Sequence, residues 1–303
     1  MSDLSLYLAS VLIWGSTWLV ITFQYGKVPP EVSVAYRFAL AALLLAGWCR
    51  AKGMRLRFSR REHLWLALQG ALMFGINYVC VYLAEQRIPS GLMAVIFSLL
   101  AMLNILGARL FFATPIAPKA VAGTVVGVAG VALICLPGAG HALAGGRAAA
   151  GLALAVAGTV ASSLSNLVSQ RNQKHGLPVM QGNAISMLYG AGFVALYCLA
   201  AGRPFTVDLS ARYLGSLAFL ALFGSVLAFG AYLTLVGRIG AGRAGYAMVA
   251  IPVVALALST LFEGLRWQWG LALGASLCLA GNFLVLPRTP KPAPDPGPAL
   301  DPA

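Results

Sequence analysis

Arg87-Ile88-Pro89-Ser90-Gly91 and Arg238-Ile239-Gly240-Ala241-Gly242 stand 151 residues apart, and at the same offset Gly123 and Gly130 fall on Gly274 and Gly281. The chain is therefore read as a duplication: residues 1–140, residues 141–288 and a short tail, 289–303. Each copy is an apolar unit of about five helices. An odd number of membrane crossings per copy forces the second to enter the bilayer upside down relative to the first.

The composition leaves little else for these copies to be. Of 303 residues, 60% are hydrophobic and only 10% charged, and the mean hydropathy is +0.84. A soluble domain of this length could not cover so much apolar surface with so few charges. The apolar stretches recur at about the 20 residues that a helix needs to cross the hydrocarbon, and the alternation of a membrane β-barrel is absent. The expected fold is all-α, with ten transmembrane helices in two inverted five-helix repeats. The spans are Leu4 to Phe23, Val32 to Cys49, His63 to Leu83, Pro89 to Phe112 and Pro118 to Leu136, then Ala149 to Ser169, Gln181 to Ala201, Tyr213 to Val236, Arg243 to Glu263 and Trp267 to Leu286. The tail TPKPAPDPGPALDPA is too rich in proline to continue a helix and is expected to be disordered on the cytoplasmic side. Duplicated, inverted halves of this kind are the plan of secondary transporters.

The formal charge of +13 would suggest nucleic acid on a soluble protein, but here the basic residues sit in short loops, where they set topology. The longest basic run, Arg50, Lys52, Arg55, Arg57, Arg60 and Arg61, marks the loop between spans two and three as cytoplasmic, which puts both termini in the cytoplasm. The expected location is thus a bacterial inner membrane, crossed many times. The cysteines Cys49, Cys80, Cys135, Cys198 and Cys278 are scattered singly through apolar spans without metal or redox spacing, so no disulfide framework, metal or other cofactor is expected. The partners expected are the lipid bilayer and a small-molecule substrate, with no nucleic acid; a monomer is compatible with the sequence, which does not fix the oligomeric state.

Several strings carry a family resemblance. Span one reads Leu12-Ile13-Trp14-Gly15-Ser16-Thr17-Trp18, span two contains Tyr36-Arg37-Phe38 followed by Ala39-Leu40-Ala41-Ala42-Leu43-Leu44, and span nine has Ile251-Pro252-Val253 and closes at Phe262-Glu263-Gly264. In order and spacing these resemble the ten-helix EamA branch of the drug/metabolite transporter superfamily. The resemblance implies a basket in which spans one, three, four, six, eight and nine surround a central cavity while five and ten pack behind. It implies transport of small metabolites, amino acids moved outward or drug-like compounds, by rocking of the two halves. The first half departs from the pattern: Ala101 stands where span nine has Pro252, and Phe112-Ala113-Thr114 where span nine ends in glutamate and glycine.

Within the spans, polar residues must find a partner or face the bundle interior. Trp14 and Trp18, one turn apart, are expected to line the cavity. So are Asn77, Tyr78 and Tyr82, the last two forming an i, i+4, i+8 aromatic stripe with Phe74 that offers ring faces and hydroxyls to an amphipathic solute. In the second half Ser163 and Asn166 are the ligand candidates from a serine-rich span six, and Phe229 and Tyr232 mirror the aromatic wall. Tyr246 is a candidate for a cytoplasmic gate and Pro252 for a hinge. The frequent glycines read as small faces for helix contact.

No acidic side chain lies at mid-membrane: Asp3, Glu31, Glu62, Glu85, Asp208, Glu263, Asp295 and Asp301 all fall in tails, loops or span ends. Facilitated diffusion without obligatory proton coupling is therefore expected. Arg37, one to two turns into span two, is read as a structural charge that snorkels outward or pairs with Glu85 or Glu263, in preference to recognising a carboxylate. A membrane enzyme would need a nucleophile and base, or metal ligands, at one depth, and none converge; no enzymatic activity is expected. Two other readings are a proton-coupled antiporter of lipophilic cations, which the same aromatic wall would suit, and a channel.

Overall fold

The computed structural model describes residues 1–113, 115–135, 146–232, 234–235 and 246–285. These form ten apolar helices and no strand: α1 Asp3–Thr22, α2 Pro30–Ala51, α3 Arg60–Glu85, α4 Ser90–Phe112, α5 Pro118–Cys135, α6 Gly146–Lys174, α7 Val179–Ala200, α8 Ala211–Tyr232, α9 Tyr246–Phe262 and α10 Trp269–Val285. Seven of them are long and apolar enough to cross a bilayer; α5, α9 and α10 are shorter. The second repeat segment quoted above, Arg238 to Gly242, and the tail lie outside the described residues.

Local chemistry fixes the helix ends. Ser59 and Glu62 cap α3 reciprocally: the Ser59 N–H donates to Glu62 Oε2 (2.6 Å) and the Glu62 N–H to Ser59 Oγ (3.3 Å). Prolines precede α2, α4 and α7, where a missing N–H costs nothing. Gly53 and Gly202 close α2 and α7 at φ 68° and 62°, a left-handed conformation that side chains disfavour.

The inversion is visible in how α5 meets α10. A Cβ on Gly130 would stand 2.6 Å from the Gly274 carbonyl oxygen, and one on Gly281 would stand 2.5 Å from that of Gly123. Residues that align by the repeat, 123 with 274 and 130 with 281, thus touch crosswise. Only an antiparallel pair lying across a two-fold axis does this. The same axis relates the α1–α9 contact to that of α6 with α4, and α3–α7 to α8–α2, while α2 meets its own repeat mate α7.

One offset does not serve the whole chain. α2 and α7, both 22 residues long, begin 149 positions apart, and the 151-residue register is the one that aligns the chain from the α3–α4 junction onward. A further pair of features escapes pattern reading. Ala71–Asn77 in α3 and Leu220–Leu227 in α8 are π-helical, again 149 positions apart at their starts. Each wider turn leaves backbone carbonyls out of the ordinary ladder near the membrane centre. α4 carries its own interruption at Ser98–Leu99, shortly before Ala101, so the first half breaks its helix without the proline that α9 uses at Pro252.

The α5–α10 contact yields a test. Gly130→Ala should lower thermal stability in detergent by about 1–3 kcal/mol through overpacking, whereas Gly192→Ala, with nothing within 4 Å of its Cβ position, should leave unfolding unchanged. Equal melting curves for the two variants would contradict the crossing.

Candidate functional site

A cavity of about 380 Å³ lies between the halves, within the range usual for small-molecule sites. Its wall comes from α1, α3, α4, α6, α8 and α9, with the start of α7 added; α5 and α10 contribute nothing.

One side of the cavity is aromatic. Trp14 meets Phe229 edge-on at 5.1 Å between ring centres and Tyr232 at 5.3 Å, and Trp18 meets Phe97 at 5.3 Å. The indole N–H of Trp14 donates to the Gly224 carbonyl (3.1 Å), an oxygen within the π-helical turn of α8. The wide turn thus presents an acceptor sideways, and the tryptophan of the opposite half takes it. Phe74 and Tyr78 continue the wall, both packed on Phe38.

The other side is built of carboxamides and hydroxyls. Asn166 donates to Asn104 Oδ1 (3.4 Å), and Ser165 Oγ donates to the Gln69 carbonyl (3.1 Å). Gln69 in turn joins three helices: its Nε2 donates to Asn183 Oδ1 (3.0 Å) and its Oε1 accepts from Asn172 Nδ2 (3.1 Å). Asn77, on the wall, has a buried Oδ1 without a partner. Not one Asp, Glu, Lys or Arg lines the cavity among the described residues.

Of the residues singled out in the sequence, Trp14, Trp18, Asn77, Tyr78, Asn166, Phe229, Tyr232 and Pro252 stand on this wall. Tyr82 and Ser163 do not. A helix turns about 100° per residue, so Tyr82, next after the wall residue Val81, points away, and its hydroxyl donates to Gln24 Oε1 (2.7 Å) in full burial. Ser163 is displaced in the same way from Ser162, whose face continues through Ser165, Asn166, Ser169 and Gln173. The Tyr246 side chain lies outside the described residues. Gln69, Asn104, Asn183 and Phe97 were not anticipated; Asn104, an amide within the apolar run Ala101-Met102-Leu103-Asn104-Ile105-Leu106, satisfied the same criterion that selected Asn166.

Among the described residues the cavity is closed at one end and reaches an exposed residue at the other. Toward the α1–α2 loop it stops below Gln24, Val28, Glu85, Ile88 and Ser90, all buried. The Tyr25 hydroxyl there bonds the Tyr82 carbonyl (3.1 Å) and Glu85 Oε2 (3.4 Å), and burial, reinforced by Glu85, holds its proton well above the usual phenol range. Glu263, at the end of α9, accepts from the hydroxyl (2.5 Å) and the N–H (3.2 Å) of Ser90, the first residue of α4. Toward the α6–α7 junction the wall runs out to Gln173, which is exposed.

Arg37 forms neither of the expected ion pairs, and it does not snorkel. It is 1% exposed, and no carboxylate lies within ion-pair distance of it among the described residues. Glu85 and Glu263 are held instead by Tyr25 and Ser90. The buried acid that does pair is Glu31, with Arg203 at 3.4 Å.

The sequence profile of the EamA-like transporter family matches residues 1–136 and, a second time, residues 149–286. The chain belongs to the EamA-like transporter family. This transporter is 30% identical over 296 residues to YedA of Escherichia coli (strain K12), named an uncharacterized inner membrane transporter, covering 94% of this chain and 93% of the relative. It is 26% identical over 292 residues to an uncharacterized transporter of Archaeoglobus fulgidus, covering 91% and 96%. A solved crystal structure shares the fold at a TM-score of 0.66 and 20% identity, covering 93% of this chain and 96% of that one. The protein is thus a multi-pass membrane transporter.

The placement of the α6 face can be checked by chemistry. In a background lacking native cysteines, Ser169→Cys, half-buried on the wall, should react rapidly with a hydrophilic maleimide and Ser163→Cys, buried off the wall, slowly, by about tenfold or more. Matching rates would show that the wall is drawn one residue out of phase.

Proposed function

We propose that this transporter carries small, net-neutral organic metabolites, foremost amino acids with aromatic or other apolar side chains, out of the cell by alternating access and without obligatory proton coupling. One observation carries the reading: an aromatic face opposes a carboxamide and hydroxyl face across a cavity with no charged side chain on its wall among the described residues. Rings accept an apolar side chain, amides and hydroxyls hydrogen-bond a polar head group, and no wall residue has a proton to exchange at neutral pH. A row of ions would find no ring of charges or carbonyls here, which argues against a channel.

The basic loop between α2 and α3 places that end in the cytoplasm, so the open end of the cavity faces inward and the sealed end, with Tyr25, Glu85 and Glu263, faces outward. Both termini are then cytoplasmic, in a bacterial inner membrane. The π turns of α3 and α8, the interruption of α4 and the proline within the continuous α9 give the halves compliant points about which to rock.

Purified protein in liposomes should take up radiolabelled neutral amino acids saturably, with counterflow, and at the same rate with or without a pH gradient. Transport of a cationic dye that requires protons, with no amino-acid uptake, would replace this reading by drug antiport and direct attention to the buried Glu85, whose Oε1 has no partner.

A further inference from the structure

Arg37 is a positive charge deep in the protein with no carboxylate within ion-pair distance among the described residues; Glu85 is the acid whose charge reaches it from beyond that distance. Its Nη1 donates to the Tyr82 hydroxyl at 3.4 Å, its guanidinium carbon lies 4.6 Å from the ring centre of Tyr78 and 5.1 Å from that of Phe38, and its buried Nε has no partner. Such an arrangement is expensive in a bilayer, and a lone ionisable group there usually serves function. The repeat supplies an internal control. At the 149-residue register of α2 and α7, Ser186 holds the position of Arg37. Helix α7 packs closely with that serine, its Ser186 carbonyl pressed against Gly70 of α3. The architecture therefore does not demand a cation at this point; only one half has it.

The place of the charge relative to the cavity gives it a use. Tyr78, whose ring receives the guanidinium, is itself part of the cavity wall. Beside it, Nη2 stands 3.5 Å from the Cβ position of Gly224, which is 2.8 Å from Thr17 Cγ2, another wall residue. Arg37 thus lies one side chain behind the wall, where Tyr78, Thr17 and Trp14 converge on the π turn of α8. The groups recorded between it and the wall, the Tyr78 ring, Gly224 and Thr17, are all neutral, so its field reaches the cavity without a compensating charge on that path. Glu85 lies beyond ion-pair distance, with Oε2 bonded by Tyr25 and Oε1 without a partner, and Glu263 is engaged by Ser90.

We propose that the counter-ion of Arg37 is the carboxylate of the substrate: Arg37 is a positioning residue that makes the aromatic end of the cavity select solutes bearing a carboxylate and reject those with only a cationic or neutral head group. The proposal rests on the amino-acid reading above and sharpens it. It requires that the carboxylate lie toward Tyr78 and Thr17.

The test uses the full chain in liposomes and compares radiolabelled L-phenylalanine with L-phenylalaninamide, which keeps the side chain and amine but lacks the carboxylate. Wild-type protein should prefer phenylalanine by about tenfold or more in kcat/KM, the scale expected of one charge with no compensating charge on its path to the cavity. Arg37→Lys should keep most of that preference. Arg37→Met, an apolar replacement of similar length that a bilayer protein should tolerate, should bring the ratio near one by raising KM for phenylalanine while leaving phenylalaninamide transport intact or improved. A structural role would instead depress both solutes together and leave the ratio standing, which would overturn the proposal. A wild-type ratio near one would overturn it with no variant needed, as would failure of both variants to fold. If wild-type protein moves no amino acid at all, the broader functional reading has failed instead.

Discussion

Helix pairs that contact their own repeat mates hold this structure to its form. Inside lipid there is no hydrophobic gain from bringing helices together, so association depends on close packing and on polar contacts. The crosswise approach of Gly123 to Gly281 and of Gly130 to Gly274 supplies close packing. The Cys278 thiol, at 3.5 Å from the Gly127 carbonyl, lies at the centre of that crossing. Because α5 and α10 touch backbone to backbone and α2 meets α7, the two halves are fixed antiparallel. The remaining helices are left to surround a space at the axis. The cavity follows from the symmetry, and its chemistry from the places where the halves have ceased to match.

The sequence revealed what periodicity and composition control. Ten apolar stretches and the repeat of small residues at 123, 130, 274 and 281 were readable, because bilayer thickness and glycine contact constrain them directly. The aromatic wall was partly readable: Trp14, Tyr78, Phe229 and Tyr232 are large amphipathic side chains at mid-span, and the bundle interior is where such groups go. Angular phase was the weak point. Tyr82 and Ser163 have the right chemistry one residue out of phase, and the π turns of α3 and α8 shift the helix phase; the Phe74-Gly75 and Phe223-Gly224 pairs, 149 residues apart, mark them only once that second register is known. Arg37 was misjudged for another reason: Glu85 and Glu263 are near enough in sequence logic, but Tyr25 and Ser90 claim them, and such competition is decided only in three dimensions.

The divergence between halves is concentrated at the ends of α4 and α9. Glu263 binds the first turn of α4 through Ser90, joining the two halves at the sealed end. Its repeat counterpart is Phe112, a side chain without an acceptor, so the open end has no equivalent carboxylate strap. One mouth is held by a charge-assisted bond and helix-capping contact; at the other, Phe112 receives the Lys174 ammonium at 4.4 Å from its ring centre, a contact within the pair α4 and α6. Among the described residues the closed end is the one that carries the carboxylate strap.

A cavity wall without Asp, Glu, Lys or Arg among the described residues also bears on how a carrier of the proposed kind would respond to an electrical field. Each elementary charge driven through the whole membrane potential changes a step by about 2.3 kcal/mol per 100 mV. A zwitterionic passenger would add no net charge, so what remains for the field to act on is charge behind the wall, Arg37 foremost. The voltage dependence of such a carrier would therefore report how far that side chain moves as the halves rock.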